Sequence, residues 1–198
     1  MSVIVVFLLL VWIFKRLHPV RGFLGLAVSV VLAAVVFAIP WFGQRLPFWI
    51  MCLAPNASIP MAGLLLAGLF GRRVFRECDW NAAWTFGAAA AITLYPSALG
   101  LGSFDTYSLG WPWLFWEKSG ILFGAVAVCS ALLLWRGNRF GYLLLLANLG
   151  FTAGFQESTN LWDYILDPLF AAVSLVVCLI AAVRGWTRRA GPSGTTAR

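Results

Sequence analysis

The chain has 198 residues, 62% hydrophobic and only 11% charged, with 14 Lys/Arg against 7 Asp/Glu and a net charge of +7. Soluble domains are nearer half apolar and a quarter charged, so the composition points to an integral membrane protein with room for about seven spans of ~20 residues. The apolar runs are continuous rather than alternating, which argues against a β-barrel, and the basic excess reads as cytoplasmic loop charge rather than as a nucleic-acid surface.

In chain order, the first predicted span covers residues 3–17. Lys15, Arg16 and Arg21 follow its apolar stretch, whereas a cleaved signal peptide carries its charges in front. A retained helix with its N-terminus outside is expected. Residues 3–14 alone reach only ~18 Å at 1.5 Å per residue, so Lys15 and Arg16 snorkel and Leu17 extends the span. The second span covers 23–42, ending near Pro40. Pro55 and Pro60 then interrupt the pattern, because proline lacks a backbone donor and clashes with the preceding turn. Residues 46–54 read as a short interfacial or re-entrant piece and 59–70 as the third span. Asn56-Ala57-Ser58 has the form of a glycosylation acceptor, but so close to a membrane it reads as a turn. Further spans are predicted at 80–98, 119–135, 140–155 and 161–186. Residues 1–188 make a single transmembrane helical domain, and 189–198 a polar, basic cytoplasmic tail expected to be disordered. The stretches "LGLGSFD" and "LGFTAGFQE", which end spans four and six, suggest a shared loop shape.

Orientation follows from charge. With seven spans, one side receives the loops at 15–22, 71–79 and 136–139 and the C-terminal end, which hold twelve Lys/Arg against Glu77 and Asp79. The other side holds Arg45 and Lys118 against Asp105, Glu117, Glu157, Asp163 and Asp167. Cytoplasmic loops carry the Lys/Arg excess, which places the N-terminus outside and the C-terminus in the cytoplasm of a cell membrane, most simply a bacterial inner membrane.

The outer side is therefore acidic, and it is also rich in aromatic rings. In "FQESTNLWDYILDP" (155–168), Thr159 or Asn160 is placed to cap the last helix, and Asp163 and Asp167 fall at i and i+4 on one face, with Asn160 a turn earlier and Glu157 continuing the row. Acids at a helix N-terminus are favoured by its dipole, which accounts for part of this pattern. Two like carboxylates one turn apart, with only two bases on that side, leave room for a shared proton, a cationic ligand or a divalent ion of the Ca²⁺ or Mg²⁺ type, although no motif specifies a metal. The loop "YPSALGLGSFDTYSLGWPWLFWEK" adds Asp105, Tyr107, Glu117 and Lys118. Trp111, Trp113, Trp116 and Trp162 are either interfacial anchors or a stacking wall for a sugar or amine headgroup.

Elsewhere, Asn81, Thr85, Thr93, Asn148 and Thr152 are expected to join helices by hydrogen bonds, and Glu77 and Asp79 to form a surface ion network with Arg72, Arg73 and Arg76. Cys52, Cys78, Cys129 and Cys178 form no C-x-x-C pair and read as buried free thiols. The single His18 gives no basis for a histidine metal site or triad. No cofactor is indicated. Three functions fit: a non-catalytic accessory or handling component for lipid-linked or exported envelope material, working with the bilayer and with other membrane subunits; an exoplasmic enzyme using paired carboxylates on a headgroup substrate; or a small transporter built on the helices broken at Pro55–Pro60 and Pro168.

Overall fold

The computed structural model describes residues 2–17, 19–20, 22–53, 56–70, 74–101, 104–112 and 120–190. Among these the chain is all-α: α1 (Ser2–Leu17), α2 (Gly22–Ala38), α3 (Leu46–Leu53), α4 (Ile59–Phe70), α5 (Glu77–Ala98), α6 (Ile121–Trp135), α7 (Phe140–Thr152), α8 (Trp162–Ile165) and α9 (Pro168–Ala190). A 3₁₀ turn at Tyr107–Gly110 and a small hairpin, β1 (Pro40–Trp41) with β2 (Gln44–Arg45), complete it. Helix α4 occupies the predicted 59–70, and the short piece expected at 46–54 is the eight-residue α3. Of the described helices only α9, over Pro168–Trp186, is both long and apolar enough to cross a membrane; α2, α4, α6 and α7 are apolar but shorter.

Two of the predicted helix extents are corrected. The second helix stops at Ala38 rather than continuing to residue 42, and the chain reverses through β1 and β2, with Pro40 opposite Arg45 and Trp41 opposite Gln44. Phe42 (φ 48°) and Gly43 (φ 81°) form the turn, with the positive φ at both central positions that a type I′ hairpin turn requires. The last predicted helix, 161–186, is broken. Leu166 is extended (φ −142°, ψ 132°) between α8 and α9; Pro168 cannot donate to a preceding turn and disfavours helical backbone at Asp167, so the helix does not run through. Asp163 and Asp167 therefore do not share a helix face.

The helices pack as α5 on α9, α6 on α7, α1 on α2 and α4, and α4 on α7. Small residues set the closest approaches. A Cβ at Gly87 would lie 2.2 Å from Ser174 Oγ, and one at Gly63 would lie 2.4 Å from a Leu143 methyl. Ser130 Oγ donates to the Gly141 carbonyl at 2.7 Å, closing the α6–α7 hairpin. The main core centres on Leu64, Phe140, Leu144, Tyr164 and Phe170, and a smaller cluster joins Val11, Ala33 and Leu69. Helices α5 and α7 end alike. Gly100 and Gly154 adopt positive φ, and the next residues, Leu101 and Phe155, donate back to Pro96 and Gly150. This Schellman ending needs a left-handed residue, which glycine adopts without a Cβ clash. It gives the two loops a common start, although Gly100 matches Gly154 rather than Gly150.

The connections gather at two ends. At the basic end, Lys15 Nζ donates to the Leu69 carbonyl, Arg76 to the Gly137 carbonyl, and Asn138 Nδ2 to the Cys78 carbonyl at 3.1 Å. Asp79 organises this end. It is fully buried rather than part of a surface network, and it accepts from the backbone N–H of Arg76 (2.7 Å) and of Arg139 (2.9 Å), with the Arg76 guanidinium at 3.6 Å. Glu77 beside it is exposed. The described cysteines are free, but Cys52 and Cys78 are exposed and Cys129 and Cys178 half-buried, so the expectation of buried thiols fails for the first two.

Burial pushes the Asp79 carboxyl upward, but the two backbone donors and the Arg76 charge outweigh it and hold its pKa below the ordinary 3.8. As pH falls, the unfolded chain then takes up this proton first. The stability contributed by Asp79 is present above about pH 4 and is lost as pH falls through the lowered native value. Replacing Asp79 with Asn should cost about 1–3 kcal/mol at neutral pH and flatten the acid limb of the unfolding profile in detergent. An unchanged acid limb would contradict this assignment.

Candidate functional site at the acidic end

The opposite end is built around two helix N-termini. Asp167 caps α9: its Oδ1 accepts from Phe170 N at 2.8 Å, and its backbone carbonyl accepts from Ala171 N at 2.9 Å. Its other oxygen accepts from both the N–H (2.9 Å) and the hydroxyl of Ser58. Ser58 in turn caps α4 through Met61 N at 3.3 Å. Both residues are buried. Four orphan N–H groups open each helix, and one carboxylate serves two such ends, where both dipoles favour negative charge. The cap of α9 is thus Asp167, not Thr159 or Asn160, and Asp167 is closed off from any ligand.

The segment 156–163 is held by its own groups and by the 3₁₀ turn. Tyr164, fully buried, accepts from Gln156 N at 3.0 Å, and its hydroxyl proton points between the carbonyls of Gln156 (3.1 Å) and Ser158 (3.2 Å). Gln156 Nε2 donates to the Ala57 carbonyl at 2.9 Å. Asn160, 1% exposed, donates to the Tyr107 carbonyl at 3.0 Å and accepts from Trp162 N at 2.9 Å. Leu161 N donates to the Gly110 carbonyl at 2.8 Å, and the indole of Trp162 to the Thr106 carbonyl at 2.9 Å. Gly110 lies so close that a Cβ there would sit 1.9 Å from Asn160 Oδ1. Trp162 is buried and hydrogen-bonded, so it clasps two loops and offers no open face for stacking.

The acids are separated by this architecture. Asp105 is exposed and accepts from Tyr107 N (3.0 Å) and Ser108 N (3.4 Å), closing its own turn. Asp163 is half-buried and accepts from the Tyr107 hydroxyl at 3.3 Å and from the Ser158 hydroxyl. Glu157 is exposed. Burial, then the Asp163 charge and its hydrogen bond, push the Tyr107 hydroxyl up to about 12, so it stays a neutral donor. Trp111 lies edge-on to the Tyr107 ring at 6.1 Å. The predicted site residues Trp113, Trp116, Glu117 and Lys118 lie outside the described residues. Among the described residues no group of three His, Cys, Asp or Glu is placed to hold a metal ion.

Beside this clasp lies a cleft of about 500 Å³ between the 3₁₀ turn, the ends of α6 and α7 and the 154–161 segment. Leu109, Trp111, Phe123, Phe151 and Leu161 line it, with Gln156 and Glu157 among its polar groups. A mostly apolar concavity with a few placed polar groups is the usual form of a small-ligand site. Of the residues proposed from sequence, Glu157 and Trp111 reach this cleft. Asp105, Tyr107, Asn160, Asp163 and Asp167 do not line it. No protein-family model, curated protein or solved structure matches the chain.

Sequence reasoning missed Ser58, Gly110, Gln156 and Tyr164. Asp167-Pro168 was a readable signal, since an N-cap acid followed by proline at the first helical position marks a helix start. Ser58 two residues before Pro60 carried a weaker version of it. Nothing local marks Gly110 or Tyr164, whose partners lie elsewhere in the chain or in a loop with no regular period.

Gly110→Ala should force Asn160 away and loosen the clasp, lowering stability by about 1–3 kcal/mol; thermal unfolding in detergent would measure it. Tyr107→Phe bears on the alkaline limb. The native Tyr107 value of about 12 lies above the ordinary 10.0, so its contribution is complete below about pH 10 and lost as pH rises toward 12. Wild type should lose more stability than Tyr107→Phe across that window, and parallel alkaline limbs would refute it.

Proposed function

We propose that the chain is a seven-span protein of a cell membrane, most simply a bacterial inner membrane, with its N-terminus outside and its C-terminus in the cytoplasm. In this reading it acts as a non-catalytic handling component that lodges an amphipathic, lipid-linked or exported envelope molecule in the cleft at its outer end. The observation that carries the reading is the cleft itself: an apolar concavity at the acidic end, walled by Phe123, Phe151 and Leu161 and edged by Glu157.

Three further features support it. Seven of the described helices have 12 to 23 residues and so measure ~18 to ~35 Å at 1.5 Å per residue; in this reading the shorter ones reach across a ~30 Å core only with their flanking loops. The outward surfaces are apolar, with Phe23, Val31 and Val35 on α2, Val128 and Leu132 on α6, Leu146 and Leu149 on α7, and Val176, Leu179 and Val183 on α9 all exposed. Large apolar side chains exposed on four of the described helices fit a lipid-facing surface. Finally, the ends differ in charge, with Lys15, Arg16, Arg76, Arg136 and Arg139 at one and Asp105, Glu157, Asp163 and Asp167 at the other, the asymmetry that orients membrane proteins.

The state of the acids favours binding over acid/base chemistry. General acid/base catalysis needs titratable groups within reach of the reacting atoms. Asp167 is sealed between two helix ends, Asp163 is hydrogen-bonded to Tyr107 and Ser158, and Asp105 closes its own turn. Among the described acids only Glu157 combines exposure with a place on the cleft.

Sidedness is the direct test. In an otherwise cysteine-free background, a membrane-impermeant maleimide should label Asp105→Cys or Thr159→Cys in intact cells, and Cys78 only after permeabilisation. Labelling of Cys78 alone from outside would invert the orientation and overturn the proposal.

A further inference from the structure

The hydroxyls of Thr152, Ser158 and Tyr164 on the cleft wall are engaged by the protein. Thr152 Oγ1 donates to the Asn148 carbonyl at 2.9 Å, the Ser158 hydroxyl to Asp163, and the Tyr164 hydroxyl to the carbonyls of its own loop. Gln156 Nε2 donates to Ala57. That bond fixes the orientation of the amide, since a flip would set two oxygens against each other. Gln156 Oε1 is consequently buried with no hydrogen-bond partner. Next to it, the exposed Glu157 carboxylate makes no hydrogen bond or ion pair with the described residues. The unengaged side-chain groups on this wall thus include two acceptors, one of them anionic, and none of the described lining residues is basic. A buried acceptor without a partner is costly, and a ligand bearing several N–H donors relieves that cost.

Building on the reading that this cleft takes an amphiphile, we propose that it selects one with a primary ammonium headgroup. The chain lies among Phe123, Phe151 and Leu161, the ammonium meets Glu157, and Gln156 Oε1 supplies a second acceptor. A primary ammonium is compact and offers three donors, as the lysine headgroup does. A trimethylated ammonium carries the same charge and offers none. Phosphatidylethanolamine and phosphatidylcholine of identical chains therefore separate donor recognition from charge and from apolar fit.

The test is native mass spectrometry of the full chain released from detergent micelles holding both lipids in equal amounts. Wild type should retain phosphatidylethanolamine over phosphatidylcholine by about tenfold, the scale of one charge-assisted hydrogen bond. Glu157→Gln, an exposed and conservative change, should bring the ratio to within about twofold. Thr159→Trp, at the exposed rim, should remove the adducts of both lipids. Equal retention by wild type, an unaltered preference in Glu157→Gln, or adducts untouched by Thr159→Trp would each overturn the proposal. So would a preference that appears only in Lys118→Gln, because Glu157 would then belong to Lys118 in the native protein. Micelle binding does not depend on sidedness, so a failure of headgroup selection is distinguishable from a failure of the orientation, which the maleimide labelling reads.

Discussion

Asp167 stands where two helices begin, and the acidic end of the molecule is arranged around the need to satisfy their free N–H groups. Buried within the protein, those donors cannot be left to water. Ser58 alone caps α4, and Asp167 caps α9 while also holding Ser58. Because the two residues are 109 positions apart, this contact fixes how the third and last long helices sit relative to each other. The segment between α7 and α9 then has little freedom. Its backbone polar groups turn inward onto Tyr164, Gln156 and Asn160, and its outer surface accepts the 3₁₀ turn through Gly110.

The same demand explains why an acid-rich face is not an acid-rich site. A carboxylate is a strong acceptor for backbone donors, and loops at helix ends are where such donors are in excess. Asp79 at the basic end and Asp105 and Asp167 at the other each accept from two or more backbone N–H groups. Asp163 accepts from hydroxyls instead, and the neutral Tyr107 beside it needs no base nearby. Glu157 is set apart by its position on the cleft rim, with no such partner among the described residues. Ligand recognition in the proposed reading rests on that difference in engagement, not on the number of acids.

The apolar surface and the cleft are parts of one design in this reading. Helices that present valine, leucine and phenylalanine outward suit hydrocarbon, and the cleft continues that apolar lining inward at the point where the polar loops begin. A molecule entering it would exchange lipid tails for aromatic side chains at small cost, so discrimination falls to the polar groups at the rim.

By itself the sequence determined the all-α class, the positions of α4 and α6 to within a few residues, the approximate extent of α3, and the partition of basic and acidic loops. These follow from continuous apolar runs, prolines and charge counts, which act locally and survive without knowledge of the fold. The break at Leu166 was written in Asp167-Pro168 but was masked by the helical spacing of Asp163 and Asp167. Only the tertiary structure decided that Asp167 would be buried against Ser58, that Trp162 would clasp a loop instead of facing a ligand, and that Gln156 and Glu157 would border a cleft. Each of those outcomes depends on which helix end lies beside which. That is set by close approaches such as Gly87 to Ser174 and Gly110 to Asn160, between residues too far apart in the chain for any local pattern to pair them.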